Sequence, residues 1–149
     1  MSLDVYLIGS RLRPASGSGI FVRDNGATVE ISREEWDRRY PGREPVTIKS
    51  RYATAEVYHR NITHNLGTMA QHAGVYPYLW RPDENAVTVA WQLIEPLASG
   101  LVRLRRDPDV YKHLNPKNGW GTYDQLVEFV ADYLKACIDN PDAKVEVSR

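Results

Sequence analysis

Apolar and polar positions change period several times along the chain. At the start, Leu3, Val5 and Leu7 alternate with Asp4 and Tyr6, the two-residue period of a half-buried strand. Arg11 to Gly19 is rich in Ser, Gly and Pro and predicts a loop. Two β-branched runs between Gly19 and Ile31 then flank Asp24-Asn25-Gly26. Asn-Gly accepts the positive φ angles of a tight turn, so this stretch predicts a hairpin. Ser32 and Glu35 have capping-box spacing and predict a short helix over 33–40, ended by Pro41-Gly42. Val46 to Ser50 and Thr54 to His59 read as further strands.

Beyond residue 60 the period lengthens. Ile62, Leu66, Met69 and Ala73 fall at i, i+4, i+7 and i+11, one stripe of a helix, with Asn61 placed to cap it and Gly74 to end it. Tyr76 to Pro82 reads as a turn-rich aromatic linker. Ala90, Leu93, Ile94, Leu97, Leu101 and Leu104 give the strongest helical pattern in the chain; Pro96 inside it predicts a kink between Gln92 and Pro96. Asp107-Pro108 opens a short helix reaching Leu114, and Asn115 to Gly121 is a tight loop. A second capping box, Thr122 and Gln125, opens a helix whose apolar face is Leu126, Val127, Val130, Leu134, Cys137 and Ile138. Asn140-Pro141 stops it, and alternating Val145 and Val147 predict a last strand.

Strands at both ends with helices between predict an α+β fold: a small, mainly antiparallel sheet of N-terminal strands plus the C-terminal strand, packed by three longer helices and one or two short ones. A length of 149 residues predicts a single domain, 1–149, with a β-rich front segment to residue 52 and a helical part from 53 with the closing strand.

Composition narrows the chemistry. Lys plus Arg and Asp plus Glu both total 19, so the formal net charge is zero, which argues against a nucleic-acid partner. Arg33, Arg38, Arg39 and Arg43 cluster, but Glu34, Glu35, Asp37 and Glu44 are interleaved with them, as on a solvated face. The single cysteine, Cys137, lies on an apolar helical stripe and excludes an intrachain disulfide. The N-terminus reads as a strand, not a signal peptide, and no run approaches a membrane span. A cytoplasmic protein is expected, in the host cell cytoplasm if phage-encoded, with no membrane partner.

Enzyme templates fit poorly. No HExxH, CxxC, GxSxG, GxGxxG or GxxxxGK[ST] motif occurs. Among His59, His64, His72 and His113, the pair His64 and His72 would stand about 12 Å apart along one helix, too far to share an ion. No metal and no cofactor are expected. What remains is binding chemistry. Asn61, His64, Asn65, Thr68 and His72 lie opposite the apolar stripe of the expected 61–74 helix and offer donors and acceptors together. Trp80-Arg81 and the segment carrying Asn118, Trp120 and Tyr123 add aromatic planes and a cation. The expected ligand-binding set is Asn61, His64, Asn65, Trp80, Arg81, Asn118, Trp120 and Tyr123.

The strings NITHNLGTMAQHAG, LWRPDE, NPKNGWGTYDQLVEFVADYLKAC and PDAKVEVSR together resemble a family of small uncharacterised proteins from phages and prophages. That resemblance covers Glu56 to Arg149, and more loosely the N-terminal strand and Gly19 to Val46. It implies a phage setting and no particular chemistry. Three functions are therefore open. The first is a noncatalytic accessory protein that binds a small polar ligand, such as a nucleotide, or a host protein through the Asn/His/Trp face. The second is a hydrolase or nucleotide-modifying enzyme with His64 as general base and Glu56, Asp83 or Asp124 as its carboxylate partner. The third is an inhibitor of a host factor that docks through an exposed Trp36. On any of them the polar face is also a candidate homo-oligomer interface.

Overall fold

The chain is seen in a computed structural model that describes residues 1–14, 17–47 and 50–149, with backbone alone for 10–14 and 50–54. The fold is α+β. In chain order the elements are β1 (Ser2–Pro14), β2 (Ile20–Asp24), β3 (Ala27–Ile31), α1 (Arg33–Arg39), β4 (Ser50–Thr63), a 3-10 turn (His64–Leu66), α2 (Gly67–His72) and α3 (Tyr76–Trp80). A second 3-10 turn (Asp83–Asn85), α4 (Trp91–Arg106), α5 (Pro108–Lys112), α6 (Tyr123–Asp139) and β5 (Lys144–Ser148) follow. The residues fall into two compact units, Met1–Gly9 with Ala55–Arg149, and Ser10–Thr54. The first nine residues thus go with the helical part of the chain.

In the larger unit an antiparallel three-stranded sheet has the order β4-β1-β5. The closing strand pairs with the opening one: Val5 faces Val147 and Leu7 faces Val145. Leu3, Val5 and Leu7 point one way and are fully buried against the helices, so the alternation in the sequence is the alternation of the sheet's two faces. Leu93, Leu97, Leu101 and Leu104 of α4 and Leu126, Phe129, Val130 and Tyr133 of α6 complete this core. The two long helices begin and pack for local reasons. At α6, the Gln125 N–H donates to Thr122 Oγ1 (3.2 Å) and the Thr122 N–H to Gln125 Oε1 (3.0 Å), so both halves of the capping box form. α4 runs unbroken through Pro96. Gly100 lets it approach the 73–75 turn, because a Cβ there would collide with Val75 Cγ1.

The smaller unit contains the expected hairpin, β2 against β3, turned by Asn25 and Gly26 at φ 48° and 81°. Among the described residues its core is Ile20, Val22 and Ile31 with Trp36 packed on them.

Several expectations are corrected. The stretch 61–74 is not one helix: β4 runs to Thr63, and a 3-10 turn and the short α2 follow. Ile62 is buried, but as the inward residue of a strand; one apolar position fits a period of 2 as well as one of 3.6. Of that stretch only Gly67–His72 is α-helical. Tyr76–Trp80 is a helical turn with proline in its first turn, not a linker. Arg11 to Pro14 belong to β1 rather than to a loop, while Ala15 and Ser16 lie outside the described residues. At α1 only half of the capping box forms. Ser32 Oγ accepts from the Glu35 N–H, while the Glu35 carboxylate pairs with Arg38 and Arg39. Of Val46 to Ser50, Thr47 makes a single bridge to Ile20, β4 begins at Ser50, and Ile48 and Lys49 lie outside the described residues.

Candidate functional site

Pairing with β1 decides where the polar residues of 59–65 go. The His64 N–H donates to the Met1 carbonyl (3.5 Å). Asn61 lies across from Asp4, to which its Nδ2 donates (3.0 Å), and His59 lies across from Tyr6, on which it stacks with ring centroids 4.5 Å apart. His59 Nε2 also reaches Asp4 Oδ1 (3.0 Å). The Asn61 amide and then the His59 ring hold the Asp4 carboxyl below its ordinary value. Asn61 is therefore a cross-strand partner and not a helix cap, a role its sequence context does not signal.

Beside β4 lies a cleft of about 470 Å³, within the usual size of ligand sites. Arg60, Asn61, Ile62 and Thr63 form one wall, the Gly119-Trp120-Gly121 loop one end, and Gln125, Glu128 and Phe129 of α6 the other wall. The loop sits tightly against the strand. Gly121 has φ 107°, and a Cβ there would stand 2.8 Å from Leu66 Cγ and 2.9 Å from Thr63 Cγ2, so only glycine fits. Trp120 is held out at 71% exposure, and its backbone N–H donates to Asn118 Oδ1 (3.0 Å). Arg60 faces α6, with Nη2 donating to Glu128 (3.0 Å) and Nη1 paired with Asp132.

The expected ligand residues divide among several places. Asn61 and Trp120 line the cleft, and Asn118 braces Trp120. His64 and Trp80 bond to one another: the indole N–H donates to His64 Nδ1 at 2.7 Å, and Trp80 is otherwise buried. An indole only donates, so this His64 nitrogen is an acceptor and its lone pair is engaged. Asn65 is exposed and its backbone N–H turns to Thr63 Oγ1 (3.3 Å). Arg81 pairs with Glu84 (3.0 Å). Tyr123 is buried, its hydroxyl donating to the Leu104 carbonyl (2.6 Å), and joins α6 to α4. Asp83, a possible partner for His64, is taken by Arg149 (3.1 Å). Trp36 is half-buried and packed on Tyr40, its indole N–H donating to the Arg43 carbonyl (2.7 Å); it is not an exposed docking residue. Burial pushes the Cys137 thiol up to about 12, which leaves it a poor nucleophile.

Arg60, Thr63, Gln125, Glu128 and Phe129 carry no local sequence signal for this cleft, whereas Trp120 between two glycines does. Among the described residues there is no group of three or more His, Cys, Asp or Glu placed to hold a metal ion, and no helix long and apolar enough to cross a membrane. No protein-family model, curated protein or solved structure matches the chain.

Proposed function

We propose that this chain is a noncatalytic binding protein that holds its partner in the cleft between β4 and α6. The observation that carries this is convergence: Asn61 and Trp120, distant in sequence, meet at one cleft of ligand size. The chemistry suits recognition. Asn61 gives its amide nitrogen to Asp4, and among the described residues its Oδ1 makes no hydrogen bond. Gln125 Oε1 is spent on the helix cap, while its amide nitrogen can still donate. Trp120 offers a bare aromatic face. The phage setting that the sequence resemblance implies makes a host protein the natural partner, with a small polar ligand as the other occupant.

An enzymatic role for His64 has less support. A general base needs a free lone pair and an orienting carboxylate. His64 Nδ1 holds the Trp80 indole, and among the described residues none of Glu56, Asp83 or Asp124 bonds to it.

Affinity capture from host lysate, with native mass spectrometry of the purified chain, tests the cleft. The expected result is a protein or small-molecule mass that associates with the wild type and is lost with Trp120→Ala. A mass that binds both equally, or no associated mass at all, would overturn the assignment.

A further inference from the structure

The cleft runs along a sheet edge, and the two edges of that sheet are treated differently. On the β5 side, the Val145 N–H donates to the Thr88 carbonyl (2.9 Å) and the Ala90 N–H to the Ala143 carbonyl (2.9 Å), so the 88–90 segment covers the edge. On the β4 side, among the described residues, nothing outside β1 makes a backbone hydrogen bond to Asn61 or Thr63 apart from the 3-10 turn that follows. Ladder parity shows which groups face outward. Val145 turns its N–H away from β1, so its partner Leu7 turns its own backbone groups toward β4. The His64-to-Met1 bond has the same parity. Arg60 and Ile62 therefore bond to β1, and the N–H and C=O of Asn61 and the N–H of Thr63 point into the cleft. These groups repeat about every 7 Å, the two-residue spacing of a strand. Native edges are usually blunted by lysine, proline or a cover. From Val57 to Thr63 the sequence carries neither lysine nor proline.

The opposite wall sets the charge of what fits. Asp124, Glu128 and Asp132 recur every four residues along α6, one row on its surface. Arg60 is the one cation that pairs with this row among the described residues, and it takes two of the three carboxylates. Only Glu128 of this row lines the cleft itself, where Arg60 pairs with it; Asp124 and Asp132 flank it on α6. The negative excess of three carboxylates over one cation therefore lies along the cleft's rim, and exposed Trp120 can take a cation on its face.

Resting on the cleft assignment above, we propose that the occupant is an extended peptide segment of a partner protein, carrying a basic side chain, which adds as a fourth strand to the free edge of β4. Its backbone bonds Asn61 and Thr63, and its basic side chain faces Glu128 and Trp120.

The test uses the full chain and octapeptides selected from a random library by binding to it. A selected peptide is compared by fluorescence polarisation with two analogues, N-methylated at odd or at even positions. Strand addition predicts an asymmetry: one pattern lowers affinity tenfold or more, and the other, whose N–H groups face solvent, changes it by less than about threefold. Asn61→Pro, which removes an outward N–H, should weaken binding more than Asn61→Ala does; if Asn61→Pro misfolds, the methylated peptides carry the test alone. Equal effects of the two patterns, an empty selection, selected peptides without a basic residue, or pairing of β4 with a second copy seen by light scattering would overturn the proposal. A Trp120-dependent mass with no peptide binding would remove strand addition and leave the cleft assignment standing. Loss of both would remove both.

Discussion

At the scale of single residues, the sheet's outer face holds one carboxyl whose partners favour its charged form. Asp4 accepts from Asn61 and His59, and its folded pKa lies below its ordinary value of 3.8. A depressed carboxyl contributes stability that is present above the unfolded pKa and lost as pH falls through the folded one. Carboxyl-carbon NMR should place the Asp4 midpoint below 3.8, and Asn61→Ala should raise it, since the amide is the largest cause. An unchanged midpoint in that variant would assign the shift to His59. In the core, Tyr58 and Tyr133 stack 5.4 Å apart, and among the described residues neither hydroxyl finds a hydrogen-bond partner. A buried hydroxyl without a partner costs free energy, so Tyr133→Phe should raise unfolding stability by about 1 kcal/mol in urea denaturation. A loss instead would mean that the hydroxyl is satisfied by water in solution.

At the scale of elements, local caps and turns set the boundaries where they are present, and packing sets them where they are not. The elements with local signatures stand where the residues predict: the hairpin at Asn25-Gly26, α6 behind its capping box, and β5. Each is specified within four or five residues by turn or cap chemistry. The 61–74 stretch is not. Asn61 is a good helix cap in isolation, but β1 offers it a cross-strand carboxylate, the strand continues, and Thr63 caps the 3-10 turn instead. The α4 contact to the 73–75 turn depends on Gly100. Gly100→Ala would place a methyl against Val75 and should cost about 1–3 kcal/mol, more than the gain in helix propensity returns. A more stable variant by thermal or urea unfolding would show that the turn moves freely aside.

At the scale of the whole molecule, the two compact units differ in how much they bury. Among the described residues of 10–54 the core is three buried side chains with Trp36 packed on them, whereas the larger unit has two long helices against a sheet. A core that small supports little independent stability. Hydrogen exchange should therefore proceed faster in β2, β3 and α1 than in α4, α6 and β5. Equal protection across the chain would contradict this.

The sequence by itself determined the α+β class, the closing strand, the hairpin, both long helices and the prominence of Trp120. These follow from local periodicity, caps and turns, which act over a few residues. Tertiary structure alone decided that β4 lies beside β1, that His64 bonds Trp80, and that Asn61 and Trp120 share a cleft with Gln125 and Glu128. A strand's pairing partner and a side chain's hydrogen-bond partner are chosen by competition among distant segments, and no local pattern in the chain records which of them wins.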